Sequence, residues 1–499
     1  MTRRRFLAYT GGVACALAAG AQDDSTKRPN IVLLMGDDHG WEETGYNGHP
    51  HLKTPVMDEM AATGLRLDRF YAAAPVCSPT RGSVITGRHP NRYGTFSANW
   101  SIRPEETSVA QILGAAGYAC GHFGKWHLGP VKAESPTSPG AMGFHEWVSH
   151  DNFFEVDPTF SRNGGPPEQF HGESSEIVIE EAMRFIDKAQ QNGKNFFVVV
   201  WFGSPHEPYR GLAKDNALYD DLPDEYAGRS TSVTSFETGD TVERPLRDVL
   251  RERYAEITAM DRSMGRLREH LAGRGLRDDT LLWYCGDNGT QGGVNVASPF
   301  RGKKGDVYEG GVRVPGLIEW PAGIPEPRAS DVNTVTSDIL PTLCALAGQP
   351  LPERPLDGIS LKPLLEGAMP ERPEPIRFWS YNTRGEAEGR EPYIAPELQE
   401  GTTPLVKLMA GKPTRSFRNF HHPEIAESDY EGPRAILDNR YKLVVHDGRR
   451  ELFDVRDDPA ETKNLLEDHP EIAEQLERKL HAWQKSVLRS LTGADYGQS

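Results

Sequence analysis

The chain has 499 residues, and its 37% hydrophobic content with 50 glycines and 38 prolines is typical of a soluble, loop-rich enzyme of two or three domains. Its formal net charge of −16 argues against a nucleic-acid-binding protein, because such proteins concentrate Lys and Arg to neutralise phosphates. An anionic ligand would have to be held by a local group of cations, since charges beyond a Debye length of about 10 Å are screened.

The first 21 residues have the pattern of an export signal. Arg3–Arg5 precede an apolar run, and Ala19-Gly20-Ala21 forms an A-x-A cleavage pattern. The arginine segment resembles a twin-arginine signal, which predicts a periplasmic or extracellular protein. A lipoprotein signal at Cys15 is the alternative, which Gly12 disfavours because a lipobox usually has Leu at that position. No other apolar run approaches the ~20 residues that a transmembrane span needs.

The cysteines do not indicate a disulfide framework. Cys15 belongs to the signal and Cys77 to a candidate site, so Cys120, Cys285 and Cys344 remain. At most one disulfide bond could form among them, and we expect three buried free thiols.

Short apolar runs at 30–35, 118–123, 195–202 and 280–285 predict buried parallel strands. Polar residues follow each run, in the segments Gly36-Asp37-Asp38-His39-Gly40, Gly124-Lys125-Trp126-His127-Leu128-Gly129, Gly203-Ser204-Pro205-His206-Glu207-Pro208 and Gly286-Asp287-Asn288-Gly289. Ligand sites of open α/β sheets lie outside the carboxyl ends of the strands. We therefore expect these segments to meet at one edge of a sheet.

Helical patterns are predicted at 54–62, 107–116, 174–190, 245–271, 337–346 and 470–490. A turn-rich surface excursion is expected at 214–241, a strand at 314–320 and a hairpin at 440–445 with 451–454. The order predicts a large, mixed but mostly parallel sheet with helices on both faces, then a smaller α+β domain with an antiparallel sheet and a long helix. The expected boundaries are 1–21 for the export signal, 22–375 for the catalytic α/β domain and 376–499 for the C-terminal α+β subdomain.

The stretch Cys77-Ser78-Pro79-Thr80-Arg81 is the candidate nucleophile turn. Cys77 and Arg81 would share one face if a helix begins at this point, since Pro79 is tolerated in a first turn. The arginine could then bind an anion beside the cysteine. A buried structural cysteine is the commoner case, so a catalytic interpretation depends on other residues converging on Cys77.

Two of the predicted strands are followed by oxygen ligands, namely Asp37, Asp38, Asp287 and Asn288. Ca²⁺ and Mg²⁺ prefer such ligands, whereas a thiolate or imidazole site for zinc is not indicated. Either pair alone could be ordinary turn residues, but together they favour a metal site. Cations and a proton donor come from the other strand ends and one loop, namely Lys125, His127, His206 and Lys304.

These residues resemble those of the type I sulfatases of the alkaline phosphatase superfamily. The family's C-x-P-x-R signature matches residues 77–81, continued by Gly87-Arg88-His89-Pro90, and its second signature matches residues 124–129. Further matches lie at 53–55, 287–289, 305–311, 451–454, 458–459 and 464–465. The resemblance spans nearly all of the mature chain and implies an alkaline-phosphatase-like fold.

The resemblance implies a sulfuric ester hydrolase in which a maturation enzyme oxidises Cys77 to formylglycine, whose hydrated aldehyde is the nucleophile. It implies one divalent cation, Ca²⁺ in preference to Mg²⁺, bound by Asp37, Asp38, Cys77 after conversion, Asp287 and Asn288. The residues expected to stabilise the aldehyde hydrate and the sulfuryl oxygens are Arg81, Lys125 and Lys304. His206 is the expected general acid for the leaving alcohol, and His127 is expected to assist release of the sulfated intermediate. The expected substrate-binding residues are Lys125, His206, Lys304 and Ser149, the last of which resembles a family position that touches the nucleophile.

Several alternatives stay open at the level of sequence. Either Lys303 or Lys304 could face the sulfate. A phosphonate or phosphate ester hydrolase of the same superfamily, and a non-catalytic sulfated-glycan-binding protein with unconverted Cys77, compete with the sulfatase interpretation. The substrate could be a sulfated polysaccharide fragment or a simple aryl or alkyl sulfate.

Overall fold

The computed structural model describes residues 28–383, 389–403 and 415–497. The predicted export signal, including Cys15, lies outside these residues. Within them, no helix is long and apolar enough to span a bilayer.

The described strands are, in chain order, β1 Asn30–Gly36, β2 Leu65–Leu67, β3 Phe70–Tyr71, β4 Ala119–Lys125, β5 Glu146–His150, β6 Thr159–Arg162, β7 Pro167–Gln169, β8 Phe196–Trp201, β9 Ser230–Thr234, β10 Thr241–Pro245, β11 Thr280–Gly286, β12 Arg313–Val314, β13 Gly316–Glu319, β14 Arg328–Ser330, β15 Thr334–Val335, β16 Ile376–Trp379, β17 Arg434–Leu437, β18 Tyr441–His446 and β19 Arg449–Asp454. The helices are α1 Pro55–Thr63, α2 Cys77–Thr86, α3 Val109–Ala115, α4 Ser174–Gln191, α5 Ala213–Asn216, α6 Leu246–Gly273, α7 Glu309–Val312, α8 Ile339–Ala347, α9 Lys362–Leu365, α10 Pro396–Gln399 and α11 Pro470–Leu491.

The main sheet has the spatial order β14-β2-β13-β11-β1-β8-β4-β5-β6-β7. Its central strands β11, β1, β8, β4 and β5 run parallel, and most pairs nearer the edges are antiparallel. This is the mixed, mostly parallel sheet that the sequence predicts. The predicted helices and parallel strands are confirmed, each within two residues at either end.

Helices cover both faces of the main sheet, because its central strands are apolar on both sides. Along β1, Ile31, Leu33 and Met35 share one core with residues of α2, α3 and α8. Val32 and Leu34 point the other way and share a second core with residues of α1, α4 and α6. The strand ends are therefore held on a rigid, doubly covered sheet.

The C-terminal sheet is antiparallel, in the order β16-β17-β18-β19. One face packs against α11, for example Leu443 with Leu480 and Val487. The other face joins a core with Tyr71 and Val335 of the small β12-β3-β15 sheet, so it rests on the larger α/β part. The predicted C-terminal antiparallel sheet with a long helix is confirmed.

One local prediction was wrong. The strand expected at 314–320 is divided at Pro315, with β12 pairing with β3 and β13 pairing with β11. Proline has no N–H to donate to a strand ladder, and this explains the break. The surface excursion predicted at 214–241 contains β9 and the start of β10, which form a hairpin of mostly exposed or half-buried residues. The expected free thiols are confirmed, since Cys120, Cys285 and Cys344 are all buried and unbridged.

Candidate active site

Acidic residues from two neighbouring strands meet at one end of the main sheet. β1 and β11 are parallel with Gly36 opposite Gly286, so the residues that follow them emerge side by side. The Asp38 backbone N–H donates to Asp287 Oδ1 at 2.9 Å, and Asn288 Nδ2 donates to Asp38 Oδ1 at 2.9 Å. Asp37, Asp38, Asp287 and Asn288 are completely buried. The predicted convergence of these side chains is confirmed by their contacts.

The glycines that precede the acids allow this close approach. A Cβ built at Gly36 would lie 2.7 Å from the Tyr284 hydroxyl oxygen, and one built at Gly286 would lie 2.1 Å from the His39 carbonyl oxygen. A side chain at either position would push the two strand ends apart.

Cys77 is the first residue of α2 and is 2% exposed. Burial raises the pKa of its thiol. Arg81 lies one helical turn later, as the spacing predicts, and its Nη2 is 2.7 Å from Asp287 Oδ2 and 3.4 Å from Asp37 Oδ1. The Cys77 Sγ and one oxygen each of Asp37 and Asp287 lie within 4.8 Å of one another. The cysteine therefore adjoins the acidic cluster.

Two lysines also contact this cluster. Lys125, the last residue of β4, is fully buried with its Nζ 2.6 Å from Asp37 Oδ2. The Lys304 Nζ is 2.7 Å from Asp38 Oδ2, and its side chain is 20% exposed. The neighbouring Lys303 is exposed, and its side chain packs over Gly292. The structure thus brings Lys304, rather than Lys303, to the cluster.

Burial and the neighbouring charges shift the pKa values of Asp37 and Asp287 in opposite directions. Although burial acts in the opposite direction, the charges of Lys125, His206 and Arg81 hold the pKa of Asp37 well below its usual value. Burial, together with the charge of Asp37, raises the pKa of Asp287 to about 7. An additional cation beside Asp287 would favour its ionised form.

The two predicted histidines, His206 and His127, are held by different neighbours. His206 Nδ1 donates to the Glu207 carbonyl oxygen at 2.6 Å, which leaves Nε2 at 3.3 Å from Lys304 Nζ. Its ring stacks on Phe153, with centroids 5.2 Å apart. His127 Nε2 is 2.9 Å from Asn99 Oδ1. Burial lowers the pKa of both histidines, and Lys304 and Lys125 respectively lower it further.

Ser149 lies on β5, beside β4. Its Oγ is 2.8 Å from His122 Nδ1 and 3.4 Å from the His122 carbonyl oxygen. Both contacts are with His122 of the neighbouring strand β4. A contact between Ser149 and the nucleophile stays a prediction.

Arg253 is a residue of the site that the sequence does not reveal. It lies about two turns into α6 and is completely buried. Its guanidinium donates to the carbonyl oxygens of Asp38 and Pro205 at 2.7 and 2.6 Å, and it forms an ion pair with Glu43 at 2.6 Å. It therefore joins the segment after β1 to the segment that carries His206. A single arginine in a long amphipathic helix has no sequence signal that distinguishes it from a surface residue.

The donor set fits a hard divalent cation. In the described part of the chain, Asn288 Oδ1 is buried without a hydrogen-bond partner, and Asp37 Oδ1 accepts no hydrogen bond beyond its 3.4 Å ion-pair contact with Arg81 Nη2. Orphaned buried oxygens are costly unless another group satisfies them. Carboxylate and amide oxygens from two strand ends are the ligands that Ca²⁺ and Mg²⁺ prefer. Asp38 and His206 form a second group with Asp37 within 4.8 Å.

Known proteins share both this sequence pattern and this architecture. The sequence profile of the Sulfatase family matches residues 29–349, which include every residue of the cluster. The chain belongs to the sulfatase family. Arylsulfatase A of Homo sapiens is 31% identical to this sulfatase over 477 residues, covering 90% of this chain and 85% of the relative. The ulvan-active sulfatase of Formosa agariphila is 30% identical over 358 residues, covering 70% and 67% respectively.

Structural similarity supports the same assignment of the fold. The crystal structure of Ps i-CgsB in complex with k-i-k-neocarrahexaose matches this sulfatase with a TM-score of 0.73 at 22% identity, covering 92% of this chain and 93% of that chain. This chain is thus an enzyme that hydrolyses sulfate esters. The family also implies a formylglycine and a divalent metal, for which the Cys77 cluster is the candidate site.

Proposed function

We propose that this sulfatase removes sulfate from a sulfated carbohydrate, with a nucleophile made from Cys77 and a divalent cation beside it. The observation that carries the proposal is the approach of Cys77 Sγ to the oxygens of Asp37 and Asp287 within 4.8 Å. A buried cysteine with no catalytic task needs no such neighbours. Here the cysteine, the acids and three cations occupy one end of the parallel strands, where open α/β sheets bind ligands.

The nucleophile is proposed to be formylglycine, formed from Cys77 by a maturation enzyme. A thiolate that attacked sulfur would leave a stable sulfur adduct, so the encoded side chain is poorly suited to repeated turnover. Formylglycine supplies a hydrated aldehyde, one hydroxyl of which attacks sulfur while the other later expels sulfate. Because Cys77 begins α2, its position is fixed by helix packing on the main sheet.

The proposed cation ligands are Asp37, Asp38, Asp287, Asn288 and the converted Cys77, with Ca²⁺ preferred to Mg²⁺. A bound cation would act as a Lewis acid toward the sulfuryl group and the nucleophile. The buried Oδ1 atoms of Asp37 and Asn288, which accept no hydrogen bond from the residues that the structure describes, support this assignment. The preference for Ca²⁺ rests on the family.

Electrostatic stabilisation is the proposed task of Arg81, Lys125 and Lys304. These cations contact the three carboxylates Asp37, Asp38 and Asp287, so the charges of the two sets balance when all three carboxylates are ionised. A divalent cation would give the cluster a surplus of positive charge. That surplus would attract a sulfate ester anion locally, despite the net charge of −16 of the whole chain.

Proton transfer is assigned to the two histidines. The Nδ1–H of His206 donates to the Glu207 carbonyl oxygen, so His206 can protonate the leaving alcohol only as the imidazolium, with its second proton on Nε2. His127 is proposed to accept a proton when sulfate is released. With His206→Ala, we expect a larger loss for poor leaving groups than for nitrophenyl sulfate, and equal losses would exclude His206 as the acid.

The names of two similar proteins support a carbohydrate substrate. One relative is described as ulvan-active, and the solved structure holds neocarrahexaose. Arylsulfatase A, in contrast, is named for an aryl substrate. Sulfate release from sulfated algal and glycosaminoglycan oligosaccharides, compared with nitrophenyl sulfate, tests the substrate class. Turnover of aryl sulfate alone would contradict a carbohydrate substrate.

The decisive test of the reaction compares an aryl sulfate with the matching aryl phosphate. We expect a higher kcat/KM for the sulfate and loss of turnover in Cys77→Ala. A strong preference for phosphate would favour the phosphonate or phosphate ester hydrolase instead. Sulfate release that survives Cys77→Ala would refute the covalent mechanism.

Export by a twin-arginine signal is part of the same proposal, with Cys77 converted in the cytoplasm before folding. The supporting residues are Arg3 and Arg4 ahead of the apolar run. We expect Arg3→Lys with Arg4→Lys to leave unprocessed protein in the cytoplasm of the producing bacterium. Unchanged export of the double variant would contradict this route.

A further inference from the structure

A chain of hydrogen bonds reaches His127 from the backbone at residue 153. The Phe153 backbone N–H lies 2.9 Å from Asn152 Oδ1. A backbone N–H can only donate, so the atom of Asn152 that it contacts must be the amide oxygen. The Asn152 amide nitrogen therefore faces the other way, toward Asn99.

The same logic carries through Asn99 to the imidazole. Asn152 Nδ2 donates to Asn99 Oδ1 at 3.1 Å, which fixes the oxygen of Asn99 on that side. This oxygen is also 2.9 Å from His127 Nε2. Because an amide oxygen only accepts, His127 must carry its hydrogen on Nε2.

The consequence appears on the opposite side of the imidazole. In neutral imidazole with Nε2–H, the other nitrogen has a lone pair and no hydrogen. His127 Nδ1 is buried and has no hydrogen-bond partner among the residues that the structure describes. His127 lies two residues after Lys125, whose Nζ contacts Asp37, and its partner Asn99 bonds Ser78 beside Cys77, so the imidazole lies next to the active-site cluster.

Asn99 is itself held in place on several sides. Its φ of 62° is in the left-handed region, which Asn tolerates better than most residues. Its backbone N–H donates to Ser78 Oγ at 3.2 Å, one residue beyond Cys77, and its carbonyl accepts from the Arg418 N–H at 3.2 Å. Asn99 thereby links the nucleophile helix α2 to the imidazole of His127.

We infer that Asn99 and Asn152 are positioning residues that hold His127 as the Nε2–H tautomer and leave Nδ1 as its proton acceptor at the nucleophile. Neither residue touches the substrate in this assignment. The inference deepens the proposed function and rests on it, because the proton to be accepted is the one released at the nucleophile when sulfate leaves. The tautomer itself can be measured without turnover.

The first test is NMR of the unconverted protein, which keeps Cys77 as a thiol and cannot turn over. Histidine labelled with ¹⁵N gives different shifts for the protonated and bare ring nitrogens, and His127→Gln assigns the signal. We expect Nε2–H with a bare Nδ1 in the wild type and in Asn99→Asp, whose carboxylate oxygen can accept the same bonds. Asn99→Gly, in which glycine tolerates the left-handed backbone, should show a mixture of tautomers. A wild-type Nδ1–H signal would overturn the inference.

The second test is kinetic and uses converted enzyme. We expect Asn99→Gly to lower kcat by about 10–100-fold with KM roughly unchanged, the range found for hydrogen-bond partners that fix the tautomer and orientation of metal-bound histidines. Asn99→Asp should recover most of kcat. Asp447→Gly is the matched control, since Asp447 is exposed with a left-handed φ of 48° in the β18–β19 turn, and it should behave as wild type. Wild-type kcat in Asn99→Gly, or equal losses in Asn99→Gly and Asn99→Asp, would overturn the inference.

The two tests separate this inference from the proposed function. An enzyme that releases sulfate while His127 carries Nδ1–H would refute the positioning role and leave the function intact. A protein in which Cys77 is never converted and sulfate is never released would refute the function, while the measured tautomer would still decide the structural assignment.

Discussion

The neighbouring lysines 303 and 304 offer a matched pair of substitutions. Lys304→Met removes a cation whose Nζ is 2.7 Å from Asp38 Oδ2, while keeping most of the side-chain length. Lys303→Met removes an exposed cation one residue away. Both variants change the net charge of the chain equally, so a difference between them reports on position and not on overall charge.

The expected size of the effect follows from the two environments. Removing one group that stabilises developing charge in a water-excluded site costs about 2.7–4 kcal/mol, or roughly 10²–10³ in kcat. We expect Lys304→Met to lose that much with nitrophenyl sulfate. Lys303→Met should stay within about twofold, because exposed charges contribute about 0–1 kcal/mol. The same loss in both variants, or a larger loss in Lys303→Met, would refute the assignment of Lys304 to the site.

Stability provides an independent check on Lys304→Met. The variant leaves Asp38 without its nearest cation, but the lysine side chain is 20% exposed and partly screened. We expect a loss of about 1–3 kcal/mol in the free energy of unfolding without added cation. Added Ca²⁺ should recover part of it, since binding to the native state adds stability. A folded variant with full activity would contradict the electrostatic role.

Other expectations concern the cation and the attachment of the C-terminal helix. Chelation with EDTA should abolish turnover and Ca²⁺ should restore it; turnover that persists after exhaustive chelation would contradict a metal site. Asp287→Asn should weaken Ca²⁺ binding at least about tenfold in calorimetric titration, and unchanged affinity would remove Asp287 from the ligands. Asp357→Asn should lower the free energy of unfolding by about 3–5 kcal/mol, measured by denaturant titration, because Asp357 pairs with the buried Arg92 at 2.7 Å and accepts from Trp483 Nε1. Burial alone would raise the pKa of Asp357, but Arg92 holds that pKa below its usual value. The stabilisation by Asp357 should therefore be present above about pH 4 and disappear as the pH falls further. A difference in unfolding free energy between wild type and Asp357→Asn that grew in acid would contradict this pH dependence.

The central part of the fold could be predicted because its strands are unbroken apolar runs that end in polar segments. β1 and β11 illustrate this, since each is buried along its whole length, ends in Gly and is followed by Asp. The short edge strands could not be predicted in the same way. β3 and β15 have two residues each, too few to show any periodicity, and they form only where the chain meets other strands. Pro315 was a visible signal for the break between β12 and β13.

In the site, too, some residues could be predicted from local sequence patterns, whereas others depend on tertiary contacts. Residues at strand ends, such as Asp37 and Lys125, were predictable because parallel strands deliver their carboxyl ends to one edge. The choice between the adjacent lysines depends on how the loop is anchored, and the Gly305 N–H bond to the Pro75 carbonyl at 2.9 Å is a tertiary contact. Arg253 and Asn99 act through contacts with residues distant in sequence, and no local pattern indicates them.

Mass spectrometry of the peptide that contains Cys77 tests the central claim most directly. The protein would be produced with and without a formylglycine-generating enzyme, and sulfate release would be measured on the same samples. We expect formylglycine at residue 77 after co-production, with turnover proportional to the converted fraction. A fully active preparation in which residue 77 is an unmodified cysteine would contradict the account.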